Sequence, residues 1–284
     1  MVTKRDWTYY LGRVVFTIIV IAIFVYAAFP FYWALISALK PEKELIQTPA
    51  TFYPHEITLQ NFIAVFQNDR FLRGLLNSTV VAVVVVGLSL GIGAFAAYAL
   101  GRLRFTGKRY IMYVILAMTL FPQISILPGL FTLVNQLGMY GSITSLMFSY
   151  LIFTLPFTTW VLTSFFRTLP GELEQAALVD GATPFQTFYR ILLPLTAPAL
   201  VTTGLLAFIA SWNEYLYALT FTLTNPLADT VNVAIAKFTG VIARNEPFGE
   251  IMAASIVVTV PLITLVMVFQ RRIVQGLTAG AVKG

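Results

Sequence analysis

Residues 110–166 contain no Asp, Glu, Lys, Arg or His. A water-soluble fold cannot accommodate so long an uncharged stretch, because such folds carry about a quarter charged residues spread along the chain. A bilayer can, since a spanning helix needs about 20 mostly apolar residues. The stretch is too long for one such helix. Asn135, Gln136, Gly138 and Gly141 mark the turn that divides it, because Gly and Asn are the usual punctuation there. Four further apolar runs bring the predicted spans to six, at about 14–39, 75–100, 110–134, 143–166, 196–222 and 251–269. The composition agrees, with 58% hydrophobic and 11% charged residues. The predicted fold is an all-α polytopic membrane protein, a single transmembrane domain over 1–284 with its core at about 72–270. No soluble domain, linker or clear repeat stands out.

Six spans put both termini on one side, and Lys and Arg decide which. The N-terminus, the 101–109 and 167–194 loops and the C-terminus hold 12 basic residues, against 6 on the other side. Both termini are therefore expected in the cytoplasm. That leaves a cytoplasmic loop at 168–195, outer loops at 40–74 and 223–250, and a cytoplasmic tail at 271–284. The net charge of +6 thus reads as membrane orientation, with no nucleic acid implied. Lys4 and Arg5 precede the first apolar run, as in a signal peptide. The run is too long for one, and is expected to be retained.

The chain has no cysteine and one histidine, His55, which excludes disulfides, thiolate ligands and multi-histidine metal sites. It has no G-x-x-x-x-G-K-[ST] run, so no ATP site is expected in it. A secondary transporter usually shows coupling-ion residues at mid-membrane, and Glu214 is the only formal charge inside a predicted span. A membrane enzyme needs a catalytic cluster, for which the spans supply no carboxylate pair.

The 168–195 loop is the most informative segment. Glu172 and Glu174 fall in what should be a first helical turn, where the helix dipole favours acids. Asp180-Gly181 is a turn signal. Thr183-Pro184 reads as an N-cap followed by proline at the first helical position. Phe185, Phe188, Tyr189 and Leu192 then form a stripe at helical spacing. Two short helices joined at a glycine are expected to lie along the membrane surface. Their apolar face suits lipid headgroups or a cytoplasmic protein, and patterning alone leaves both open.

Ala176, Ala177, Asp180, Gly181, Ala182, Ile191, Leu193 and Pro194 resemble the "EAA" loop of permease subunits in binding-protein-dependent ABC importers. The whole chain is similar to the second permease subunit of maltose-type carbohydrate importers. Leu76-Asn77-Ser78, Trp212-Asn213-Glu214 and the tail from Gly276 to Gly280 carry that likeness, together with the ending Val282-Lys283-Gly284. The resemblance implies a type I importer fold in a bacterial or archaeal inner membrane. It implies a heterodimer with a second permease, two ATPase subunits that hold the ATP and Mg2+, and an extracytoplasmic sugar-binding protein. Glu174 to Ala177, Asp180 to Ala182, Phe185, Phe188 and Tyr189 become the ATPase-coupling element, with the aromatic stripe as its buried face. Gly280, Val282 and Lys283 become a tail contact to the ATPase. The outer loop, with Asn225, Asp229, Asn232 and Asn245, becomes a candidate to enter the binding protein. One departure is Gln175, where the family has an acid. Glutamine cannot form a charge-assisted pair, which weakens any ion pair with the ATPase there or moves it to Glu174.

Intramembrane ionisable residues are functional candidates. On an unbroken helix Glu214 lies about 27 Å along the fifth span, near its outer end. Glu214 with Asn77, Trp212, Asn213 and Tyr215 makes a candidate sugar path, with Tyr217 nearby as a further hydrogen-bonding or stacking group, although an interfacial aromatic belt accounts for the rings as well. Half-solvation or helix–helix hydrogen bonding accounts for Glu214 equally, and capping or helix–helix bonding accounts for Asn77 and Ser78. Pro122, Pro128 and Pro156 are expected to kink their spans.

Overall fold

The computed structural model describes residues 7–238 and 247–281, and every regular element among them is helical. Four helices are long and apolar enough to cross a membrane: Tyr9–Ala38, Asp69–Arg102, Ile143–Thr168 and Phe248–Gln270. Two further pairs are each long enough only if a bent pair counts as one span: Lys108–Leu120 with Gln123–Gln136, bent by 99°, and Pro184–Leu195 with Ala197–Trp212, bent by 74°. The described residues fall into two compact units, the first reaching to Asn68 and including Phe238–Thr259, the second made of Asp69–Lys237 and the residues from Val260 on.

In the first unit, α1 (Trp7–Ala38) is followed by the short α2 (Glu42–Leu45) and α3 (Gln60–Gln67). Side chains along residues 9–27 of α1 are exposed, so this helix takes lipid or another subunit as its surroundings. The connection between α1 and α3 is organised by Glu44, which is buried. Its carboxylate accepts from Thr51 Oγ1 at 2.7 Å and from the His55 backbone N–H at 3.1 Å. Lys40 Nζ in turn donates to Thr51 Oγ1 at 2.8 Å.

In the second unit, α4 (Asp69–Arg102) and α7 (Ile143–Thr168) lie along each other. Apolar helices gain nothing from hiding from apolar lipid, so close approach and interhelical hydrogen bonds must hold them. Both are present. A Cβ on Gly93 would stand 2.9 Å from Thr158 Cγ2, so any larger residue would have to push the Thr158 side chain aside. Ser89 and Thr154 share a 2.8 Å hydroxyl hydrogen bond inside the contact. Around this pair stand α5 (Lys108–Leu120), α6 (Gln123–Gln136) and α11 (Ala197–Trp212). Between α7 and α11 come α8 (Glu172–Val179), α9 (Pro184–Thr187), a π-helical turn (Phe188–Leu192) and α10 (Leu193–Leu195). After α11 come α12 (Leu216–Thr222), a 3-10 turn (Pro226–Ala228), α13 (Val231–Ala236) and, after a gap in the described residues, α14 (Phe248–Ala281).

Several sequence expectations are corrected. The predicted 196–222 helix stops at Trp212 and restarts at Leu216, so a depth for Glu214 reckoned along an unbroken helix does not hold. The second long helix begins at Asp69, placing Asn77 and Ser78 two turns inside it, away from its cap. The expected bend at Pro122 is present, 99° at the α5–α6 break, while α6 and α7 continue as helices through Pro128 and Pro156. The turn after α6 forms as expected, with Gly138 and Gly141 at φ +67° and +78°.

Candidate functional site

The 171–196 segment folds as two short helices joined at a glycine. Gly181 has φ +81°. Ala182 N donates to Ala177 O at 2.9 Å and Gly181 N to Leu178 O at 3.1 Å. That pair of bonds closes α8 with a left-handed residue just past its end. Thr183 then opens α9: its hydroxyl accepts from Gln186 N at 3.2 Å, and Gln186 Oε1 accepts from Thr183 N at 2.8 Å. This reciprocal capping box satisfies two otherwise orphaned N–H groups.

The element is anchored from behind. Arg102, at the end of α4, donates to Glu174 Oε2 at 2.7 Å and to Leu169 O at 2.9 Å. Glu174 is thus committed within the chain, while Gln175 and Ala176 are exposed and Ala177 is buried. The predicted aromatic face also divides. Phe188 is 2% exposed and sits among Ala94, Ala97, Leu162, Phe166 and Leu192. Its ring lies 4.9 Å from Phe95 and 5.0 Å from Tyr98. Phe188 therefore belongs to the chain's own core, and its place in an exposed face is corrected: a surface element must first spend apolar side chains on its own attachment. Phe185 and Tyr189 remain exposed, together with Leu178 and Val179. Asp180 is exposed and Ala182 half-buried.

At the α11–α12 break, Glu214 is buried. Its two oxygens accept from Tyr217 N at 2.8 Å and Ala218 N at 3.0 Å, so the carboxylate caps α12 and answers the positive end of its dipole. Asn232 Nδ2 donates to Trp212 O at 2.8 Å, satisfying a carbonyl the break leaves free. The predicted sugar-path residues do not form one lining. Trp212 and Glu214 face inward, Asn213 and Tyr215 outward. Asn77 is remote in sequence and donates to Leu227 O and Asp229 O, each at 2.9 Å.

Polar side chains of the 223–237 segment are likewise paired within the chain. Asp229 is buried and accepts from Thr222 Oγ1 at 2.9 Å and from Lys237 Nζ at 2.9 Å. Asn225 Nδ2 donates to Gly141 O at 2.8 Å. Ser78 Oγ accepts from Val231 N at 2.9 Å. Asn225, Asp229 and Asn232 thus spend their side chains on contacts within the chain and give this outer segment a folded shape over the start of α4. Asn245, Val282 and Lys283 lie outside the described residues; Gly280 lies in the last turn of α14.

One feature, of which only Tyr217 stood out in the sequence, is a cavity of about 220 Å³ that opens at the α5–α6 break, lined by Thr119, Phe121, Gln123, Phe153, Phe157 and Tyr217 among others. Tyr217, whose N–H is capped by Glu214, donates its hydroxyl to Gln123 O at 2.9 Å. Aromatic faces beside a few polar groups are what a polyhydroxylated ligand needs. The available signal was Thr119 and Gln123 flanking Pro122 within a charge-free run.

These features define a class: a polytopic helical membrane protein with helix breaks inside its spans and a rigid two-helix element between two of them. The family described as binding-protein-dependent transport system inner membrane component matches residues 89–279, and the chain belongs to it. The chain is 42% identical to the trehalose transport system permease protein SugB of Mycobacterium tuberculosis, over 91% of this chain and 93% of that one. It is 40% identical to the trehalose/maltose transport system permease protein MalG of Thermococcus litoralis, over 96% and 98%. A crystal structure of a bacterial ABC transporter involved in import of the acidic polysaccharide alginate contains a chain of the same fold, with TM-score 0.83, 20% identity and coverage of 94% and 98%.

Proposed function

We propose that the chain is one permease subunit of an ATP-driven importer for a di- or oligosaccharide, in the cytoplasmic membrane of a bacterium or archaeon. It forms half of the path with a second permease. Two copies of a cytoplasmic ATPase hold the ATP and Mg2+, and an extracytoplasmic binding protein delivers the sugar. The observation that carries this is the 171–196 element: Leu178, Val179, Phe185 and Tyr189 stay exposed on short helices whose backs are pinned by Arg102 and Phe188. A rigid apolar knob of that kind suits a cleft in a partner. Family membership favours an ATPase over lipid as its occupant, and the two relatives' names favour a small gluco-oligosaccharide as the cargo.

In this reading the cavity at the α5–α6 break contributes to the sugar path. The 223–237 cap meets the binding protein through its exposed residues Leu223, Thr224, Pro226 and Leu227, with Asn225, Asp229 and Asn232 giving it shape. The sugar shifts the inward–outward equilibrium only through differential affinity for the two states.

The test is co-purification. Truncating an interface anchor costs about 2 kcal/mol or more, which is over about tenfold in affinity. Val179→Asp with Phe185→Asp should therefore release the ATPase while the permease still inserts. Undiminished co-purification would remove the docking assignment. A panel of sugars, scored for stimulation of ATP hydrolysis by the reconstituted complex, identifies the cargo.

A further inference from the structure

We propose that the cleft between α5 and α7 is a binding site for the phosphodiester headgroup of an anionic phospholipid. A cavity of about 470 Å³ is lined by Lys108, Arg109, Arg167, Tyr113, Trp160 and Met112, with no carboxylate among the described residues that line it. Among the described residues none of the three cations is in an ion pair. Arg102 makes the contrast, since its guanidinium is spent on Glu174.

The cations are positioned to different degrees. Lys108 Nζ donates to Leu103 O at 3.0 Å and Gly101 O at 3.3 Å, which fixes it across the α4–α5 turn with one hydrogen left. Arg109 Nε donates to Tyr113 Oη at 2.7 Å, with the guanidinium carbon 5.4 Å from that ring's centre. Arg167 lines the cavity without a hydrogen bond among the described residues. Like charges sharing a cleft repel one another, and an anion between them turns the repulsion into charge-assisted hydrogen bonds. The two non-bridging oxygens of a phosphodiester match the fork of a guanidinium.

A lipid is the source the location favours. The cleft lies where α5 begins and α7 ends; α7 is long and apolar enough to cross a membrane, and α5 opens a bent pair that is so when counted as one span. Trp160 and Tyr113 are residue types that settle at the headgroup level. Basic pockets between spans recognise anionic headgroups. Buried Met112 gives the cleft an apolar floor beside the charges. Free phosphate offers the same oxygens without the acyl chains, so the experiment separates the two.

The full-length chain, purified in detergent, is titrated with phosphatidylglycerol, with phosphatidylcholine and with inorganic phosphate, and bound species are read by native mass spectrometry. Phosphatidylglycerol should be retained about tenfold more than phosphatidylcholine. Arg167→Gln should lower that retention about tenfold, the scale of one lost hydrogen bond to a charged group. Arg104→Gln removes the same charge from the neighbouring turn outside the cleft and should leave retention unchanged. An equal loss in both variants would mean diffuse attraction and overturn the site. Binding of inorganic phosphate, with no preference between the two lipids, would overturn the lipid as its occupant.

Discussion

Glu214 shows how a buried carboxylate at a break between helices can be paired by the backbone itself. Both carboxylate oxygens are taken by backbone N–H groups of Tyr217 and Ala218. Replacing Glu214 by Ala leaves two buried donors unpaired, at about 1–3 kcal/mol for such a group. Glu214→Gln keeps an acceptor for one of them and should cost less. The measurement is the midpoint of heat-induced loss of monodisperse protein in detergent, alongside transport by the reconstituted importer. The expected order of stability is wild type, then Gln, then Ala, with transport by the Gln variant close to wild type. Lost transport at unchanged stability would instead give the carboxylate to the sugar. The sequence singled out Glu214 correctly as unusual, because a charge in an apolar run is visible in one dimension. Its partners were not visible: they are backbone groups exposed by a helix break that no Gly or Pro announces at 213–215.

At the scale of elements, the 40–59 connection depends on one carboxylate. Glu44 is held down to a pKa of about 2 from its ordinary 4.5, first by the hydrogen bond from Thr51 and further by His55, against the opposing effect of burial. A group with a depressed folded pKa stabilises above its unfolded value and loses that contribution as pH falls through the folded one. Amide protection in residues 40–59, corrected for intrinsic exchange rates, should therefore be full above pH 4.5 and decline toward about pH 2. Glu44→Gln should flatten that dependence; a profile identical to wild type would mean another group organises the connection. Elements built on local signals were legible from sequence. The turn at Gly138, the hinge at Gly181 and the cap at Thr183 all formed where residue type demanded. The failures were tertiary. Phe188 and Phe185 share one helical stripe, yet Phe188 packs against the small Ala94 and Ala97 on α4 while Phe185 stays exposed beside Phe95. Asn225, Asp229 and Asn232 look like loop polarity, but their partners lie on distant segments, and Asn77 reaches the same loop from about 150 residues earlier in the chain.

Across the second unit, these pieces form one physical chain. The α8–α9 element is pinned to α4 through Arg102 and Phe188, and continues through a 74° bend at Thr196 into α11. That helix ends at the Glu214 break, and Glu214 caps the helix bearing Tyr217, which closes one wall of the cavity at the α5–α6 break. Continuity alone does not establish coupling, so the hinge is the place to test it. Gly181 sits at φ +81° with open space where a Cβ would stand, so a substitution there acts through the backbone without steric clash. Alanine adds about 1–2 kcal/mol of left-handed strain. Proline cannot reach a positive φ and lacks the N–H that Leu178 O accepts. Because Gly181 is exposed and a side chain there meets nothing within 4 Å, both variants should insert and assemble. In proteoliposomes holding the complete importer, Gly181→Pro should keep hydrolysing ATP while sugar uptake per ATP collapses, with Gly181→Ala between it and wild type. A wild-type ratio in the proline variant would show that motion reaches the spans by another route.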